Sequence, residues 1–198
     1  MSGRSTLELK ARQLGIEVDG KVLSDVVDTL KRLEHEGYHF EAADASLELL
    51  MRAAAGWQQS YFRVESFKVV VAHRSGDARA WNELTVDAET DATVKVWVGD
   101  ERIIASGEGN GPVNALDQAL RRAIGDHYPE LHNVHLTDFK VRVLDTNKGT
   151  GAVTRVLLDS TNGDRTWTTI GVSSNIIEAS WQALVDSIVY GLLHSREQ

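Results

Sequence analysis

Seven histidines and 29 acidic residues give this chain its raw material for metal or acid–base chemistry. One grouping has suggestive spacing. His35-Glu36-Gly37-Tyr38-His39 fits H-E-x-x-H letter for letter, the pattern in which two histidines one helical turn apart bind zinc and the glutamate acts as general base. That chemistry needs one continuous helix. Gly37 stands inside the motif where the apolar periodicity ends, and glycine in a helix interior costs about 1 kcal/mol relative to alanine. The expectation is a helix–helix elbow with surface histidines, and an autonomous metallohydrolase is the competing enzyme-class reading. His127, His132 and His135 precede a strand in a stretch that Pro129 and Asn133 mark as a loop, so they read as solvated. Asp138 and Asp145 bracket a strand without forming a catalytic pair, and no Ser-His-Asp spacing is present. The chain is assigned neither a catalytic residue nor a metal ligand.

Gly107-Glu108-Gly109-Asn110-Gly111-Pro112 follows a strand and opens a helix. The spacing is not G-x-G-x-x-G and no Walker lysine follows, which argues against a nucleotide. Backbone N–H groups and the positive end of a helix dipole still converge there, and they would suit a carboxylate as well as a phosphate. A plain strand-to-helix turn is the alternative.

The elements that must position this turn fall into two textures that meet near residue 60. Before it, three helices are expected. Ser5 with Glu8 reads as a capping box for a helix ending at Gly15. Val22, Leu23, Val26, Val27, Leu30 and Leu33 form an apolar stripe that stops at Gly37. A third helix runs from Glu41 to Ala55 with Ala43, Leu47, Leu50 and Ala54 on one face. Beyond Tyr61 the period changes to that of strands, at 67–71, 93–98 and 102–105, with a helix from Pro112 to Ala123. The pattern then recurs: strands at 139–143, 152–158 and 167–172, and a helix from Ile176 to Leu193. Phe67-Lys68-Val69 matches Phe139-Lys140-Val141. Gly107, Ala115, Ala119 and Leu120 match Gly171, Ala179, Ala183 and Leu184 at one constant offset. Both helices carry start signals, Pro112 at the first helical position and Asn175 with Glu178 as a capping pair. The expected fold class is α+β: a small helical linker subdomain (1–59), then a domain of two pseudo-symmetric βββα repeats (60–198).

Composition bounds the partners. The chain has 198 residues, 42% hydrophobic and 25% charged, with a net charge of −8 and a pI near 5.3. That acidity argues against nucleic acid or an anionic membrane as partner. There is no cysteine. No apolar run approaches the roughly 20 residues that span a bilayer, and the N-terminus lacks a signal-peptide core. A cytoplasmic location is expected.

These residues also carry a family resemblance. Leu33-Glu34-His35-Glu36-Gly37-Tyr38 with Phe40-Glu41-Ala42-Ala43 is similar to the linker of (R)-citramalate synthases, within the 2-isopropylmalate synthase/homocitrate synthase family. Glu108-Gly109-Asn110-Gly111-Pro112-Val113-Asn114-Ala115-Leu116 resembles the first repeat of the regulatory, LeuA-type allosteric dimerisation domain that these enzymes share. Tyr128-Pro129-Glu130-Leu131, Leu136 to Leu144 and Gly171 to Trp181 continue the likeness. The resemblance implies enzymes that condense acetyl-CoA with a 2-keto acid, pyruvate in the citramalate case, at a divalent metal in a TIM barrel. This chain is too short for that barrel and lacks its H-x-H motif, so on its own it is expected to be inactive and without cofactor. The resemblance further implies a homodimer that binds an end-product amino acid, isoleucine, or leucine in the isopropylmalate case. Gly109, Asn110, Gly111, Pro112 and Val113 would face the carboxylate, as would Ser173, Ser174 and Asn175 by pseudo-symmetry, and Asn110 or strand carbonyls would accept from the ammonium. Leu136, Phe139, Val143 and Val153 would floor the branched tail. Phe139 stands where the family often has tyrosine. A structural dimerisation module with no effector is the remaining alternative.

Overall fold

A computed structural model describes residues 3–73 and 88–195. Three helices come first: α1 (Arg4–Gln13), α2 (Gly20–Glu36) and, after a short 3-10 turn at Phe40–Ala42, α3 (Asp44–Ala54). Then follow β1 (Arg63–His73), β2 (Ala88–Val98), β3 (Glu101–Gly109) and α4 (Pro112–Ile124). The second repeat is β4 (His135–Val143), β5 (Thr154–Thr161), β6 (Thr166–Ser173) and α5 (Ile176–Ser195). Each repeat is a three-stranded antiparallel sheet in the order of the chain, followed by one helix, so the α+β architecture with two βββα repeats is present. Even an irregularity is shared. The first strand pair of each sheet slips register near its start, between Val64 and Ser66 and between Leu136 and Asp138.

The glycines and alanines that repeat along the sequence mark where each helix crosses its sheet. A Cβ on Gly107 would collide with the backbone of Ala119 and stand 2.7 Å from the Ala115 carbonyl oxygen, and a Cβ on Gly171 would collide with the Ala179 carbonyl. Glycine on the third strand and alanine on the helix let the two backbones touch. Around those contacts α4 buries Leu116, Leu120 and Ile124 with Val94 and Val96 of β2. In the second repeat Val156, Leu158, Ala179 and Ala183 pack together.

The chain divides into two compact units, Ser60–Leu131 and a second made of Met1–Gln59 with His132–Gln198. The helical segment therefore shares a unit with the second repeat. Its core of Leu7, Leu23, Val26, Leu30, Phe40 and Met51 takes in Ile170 of β6, with Leu157 and Val172 packed against it. Helices consequently cover both faces of β5 and β6. The outer edge of β6 is sealed as well: Thr168 N donates to Asp44 Oδ1, Ile170 N to Ser46 Oγ and Val172 N to Gln182 Oε1, each at 3.1 Å. Three successive outward N–H groups of this edge strand, on alternate residues, are thereby satisfied by side chains.

Several local expectations are corrected. Ser5 does not cap α1: Gly3 holds that position without a side-chain bond, and Glu8 reaches Arg4 at 3.6 Å instead. The third helix begins at Asp44 rather than Glu41. It buries Ala45, Ser46, Leu47, Glu48, Leu49 and Met51, whereas Leu50 and Ala54 keep surface. Among the described residues α5 is long and apolar enough to cross a membrane by composition, yet 67% of its most apolar window is buried in the fold.

Candidate functional site

The H-E-x-x-H reading fails on geometry. Helix α2 ends at Glu36, Gly37 takes a left-handed φ of 113°, and His39 is extended at φ −142°. His35 and His39 therefore share no helix, and the elbow expected at Gly37 is present. His127 lies 3.3 Å from Glu101. Among the described residues no group of three or more His, Asp or Glu is placed to hold a metal ion.

The glycine-rich turn is assembled by β3 and α4. Gly109 must lack a side chain, since its Cβ would lie 2.5 Å from Asn114 Oδ1 and 2.6 Å from Ala115 N. Its place in the site is thus set by strand–helix contact. Gly111 is the residue before the helix, extended at φ −177°, ψ 174°, with Pro112 following. No side chain caps α4. The Asn114 side chain turns back instead, accepting from Asn110 N at 3.3 Å. Beside the turn opens a cleft of about 600 Å3, lined by Glu89, Thr90, Asp91, Glu108, Gly109 and Asn110. Asp91 and Glu108 are direct cross-strand partners, on the sheet face opposite the one that Gly107 and Gly109 turn to α4. The start of α4 offers N–H groups suited to an oxyanion on one side of the sheet, and the two carboxylates stand on the other. Glu89, Thr90 and Asp91 were not expected from the sequence. Only strand register brings them to this turn.

The second unit holds the remaining candidates. Leu136 is half-buried against Val156, Leu158, Ala179 and Ala183. Phe139 and Val143 are 42% and 48% exposed on β4. Val153, Ser173 and Ser174 line a separate cleft of about 610 Å3 with Tyr38, Leu144 and Gln182. Asn175 behaves as the capping residue expected for α5, its Oδ1 accepting from Ile177 N at 2.9 Å and Glu178 N at 3.4 Å. Ser173 Oγ accepts from Asn175 N at 3.1 Å. The two helix starts, equivalent in sequence pattern, therefore differ: α5 is capped from within and α4 is open.

A set of polar groups missed in the sequence joins the helical segment to α5 and β6. Gln182 Oε1 accepts from Val172 N at 3.1 Å and from Tyr38 Oη at 3.0 Å. Ser46 Oγ donates to Asp186 Oδ2 at 2.6 Å. Burial pushes the Asp186 carboxyl up to about 6, against the opposing Ser46 hydrogen bond. Burial also raises Tyr38, with help from Asp186 and Glu36. Glu48 bonds His194 at 3.0 Å and Arg52 at 2.8 Å. Burial pushes its carboxyl up, but those hydrogen bonds outweigh it and the net shift is downward. A signal existed: Gln182 and Asp186 are polar residues four apart on a helix that is otherwise largely apolar.

Comparison with known proteins follows the same residues. The profile of the LeuA allosteric (dimerisation) domain matches residues 41–192. The (R)-citramalate synthase of Synechocystis sp. is 51% identical over 96% of this chain and 34% of its own length. That of Streptomyces coelicolor is 46% identical over 98% of this chain and 35% of its own length. The 2-isopropylmalate synthase of Aquifex aeolicus is 29% identical over 94% of this chain and 32% of its own length. The chain spans about a third of the length of these curated relatives.

Proposed function

This chain belongs to the LeuA allosteric (dimerisation) domain family, and from that premise we propose that it is the regulatory, dimerising part of a citramalate synthase, binding isoleucine for feedback inhibition. The whole enzyme would form (R)-citramalate from acetyl-CoA and pyruvate in the cytoplasm. The divalent metal of that reaction is assigned to a barrel outside this chain, which is proposed to be inactive alone. Identities of 46% and 51% to two citramalate synthases, against 29% to an isopropylmalate synthase, favour the isoleucine reading over a leucine one.

The observation that carries the effector reading is the open start of α4, which no side chain caps. An α-amino acid presents a carboxylate and an ammonium a few ångströms apart. The start of α4 suits the first, and Asn110 or strand carbonyls beside it suit the second. The tail residues expected from the sequence, Leu136, Phe139, Val143 and Val153, belong to the other compact unit, where Phe139 and Val143 offer exposed apolar surface. Inhibition then requires the effector to bind two states of the enzyme unequally. Calorimetric titration with isoleucine, leucine and valine tests the reading. Isoleucine is expected to bind tightest. Tightest binding by leucine would move the chain to the isopropylmalate alternative, and no heat from any of the three would leave a structural dimerisation module.

A further inference from the structure

The apolar layer that α5 covers continues one strand beyond the helix. On β5 that layer consists of Thr154, Val156 and Leu158, all buried. Their cross-strand partners on β4 are Val143, Val141 and Phe139, and directly paired residues stand on the same side of a sheet. β4 is the outermost strand, and α5 packs on β5 and β6. The three β4 side chains consequently keep 48%, 42% and 42% of their surface. The opposite side of β4 carries Asp138, Lys140 and Arg142, where Lys140 bridges Asp138 at 2.7 Å and Asp159 at 3.0 Å. Such alternation belongs to a strand with one side in water and the other in a core. On β4 the charged side has its water, whereas no described element of the same unit closes over the apolar side. The first repeat writes the same Phe-x-Val-x-Val row at Phe67, Val69 and Val71, paired in the same way with the strand under α4. The row is therefore a feature of the repeat and not an accident of one strand.

We infer that the Phe139, Val141 and Val143 side of β4 is where a second copy of this chain docks, the two β4 strands facing each other across a two-fold axis. The inference rests on the dimerising reading above and deepens it by naming the surface. A second copy is the occupant for three reasons. The chain belongs to a dimerisation-domain family whose profile spans β4 to α5. A two-fold contact presents one patch to itself, so the patch must be compatible with its own copy; a row of Phe and Val is, and the Lys140–Arg142 side of the strand is not. Each copy also carries a net charge of −8, so two copies repel unless they meet where neither presents charge. The row is the centre of such a contact and not the whole of it. A stable interface covers about 800 Å2 per partner, with apolar residues at its core and polar ones at its rim. In this arrangement Phe139 and Val143, expected from the sequence to floor a ligand, are turned to the partner copy.

Light scattering and sedimentation on this chain at micromolar concentration test the surface. The parent is expected to be a dimer. Val141→Glu puts two carboxylates near the axis and should raise the dimer dissociation constant about a hundredfold or more, with the far-UV spectrum of the parent retained. Ile104→Glu, at an exposed residue of β3, should leave the dimer intact. Covalent trapping reads the same surface without a charge. The chain has no cysteine, so Val141→Cys offers one thiol per copy. A short bis-maleimide should link it into a covalent dimer, while Ile104→Cys remains a single chain on a denaturing gel. Should Val141→Glu fail to fold, the trapping experiment decides alone. A parent dimer that survives Val141→Glu and is not trapped through Val141→Cys overturns this surface and leaves the dimerising reading standing. So does a dimer that Ile104→Glu dissociates and Val141→Glu does not. A monomeric parent overturns the dimerising reading, and the surface falls with it.

Discussion

Gly111→Asp separates the fold from the binding site with one residue. Gly111 is extended at φ −177°, ψ 174°, a conformation open to any residue, and nothing lies within 4 Å of an added Cβ. It also occupies the N-cap position of a helix that no side chain caps. Aspartate is among the best residues there and should gain a few tenths of a kcal/mol over glycine. The fold is therefore expected to persist with unchanged or slightly higher stability. Binding should move the other way. The new carboxylate competes for the N–H groups proposed to hold the ligand's carboxylate. It also places a like charge about 4 Å away, worth roughly 4 kcal/mol at an effective dielectric near 20. The turn is only partly buried, so water reduces this. A quarter of the full value, about 1 kcal/mol, still weakens binding about fivefold, at roughly 1.4 kcal/mol per decade. Thermal denaturation and isoleucine calorimetry on parent and variant measure both quantities, and Gly111→Asn supplies the same bulk without the charge. The full-length enzyme carrying Gly111→Asp should escape feedback inhibition. A folded variant that binds isoleucine as tightly as the parent would remove the effector from this turn. Equal losses in Gly111→Asn and Gly111→Asp would refute the electrostatic argument.

Other expectations follow from specific contacts. Gly171→Ala drives a Cβ into the Ala179 carbonyl of α5, so chemical denaturation should show a loss of about 1–3 kcal/mol or more. A loss below about 0.5 kcal/mol, the usual size for surface substitutions, would mean the helix can slide off its sheet freely. Asp186 has its folded pKa raised to about 6 from an ordinary value near 3.9, so its stabilising contribution is full below about pH 4 and is lost as pH rises through about 6. Asp186→Asn, which can still accept from Ser46, should add about 1–2 kcal/mol at pH 8 and little at pH 4. The opposite pH trend in denaturation would show that the carboxylate is stabilised when charged. Light scattering at micromolar concentration should give a dimer for this chain, and a stable monomer would contradict the self-association its family name implies. Citramalate formation by the isolated chain would overturn the division between regulatory and catalytic parts.

The architecture was legible because its strongest requirement leaves a mark on single positions. Gly107 and Gly171, with Ala115 and Ala179, stand where two backbones touch, and nothing larger can replace them without separating helix from sheet. Helix ends were legible where the stop is local, as at Gly37, whose left-handed φ is written into its residue type. What escaped was set by distant partners. The buried face of α3 includes Ser46 and Glu48, which periodicity assigns to the surface. They are inside because Asp186, Ile170 and His194 meet them there. The same holds at the candidate site. The glycine turn is visible in the sequence, whereas the pairing of Asp91 with Glu108 on the far face of the sheet is set only by strand register.

The two repeats share one architecture and yet use the starts of their helices differently. In the second, Asn175 satisfies the first N–H groups of α5, Ser173 accepts from Asn175, and Val172 is held by Gln182. These N–H groups already have internal partners, and Tyr38 and Arg155 bind that region to the helical segment. In the first, α4 begins without a side-chain cap. A helix start with glycine in place of a capping side chain is a local cost of a few tenths of a kcal/mol, and a ligand's carboxylate can offset it only when bound. The division is therefore between a repeat whose polar groups are satisfied by the chain and one whose polar groups are left for something else to satisfy. Asp or Asn at position 111 would close that difference from the inside, which is why the substitution that improves the helix is the one expected to harm binding.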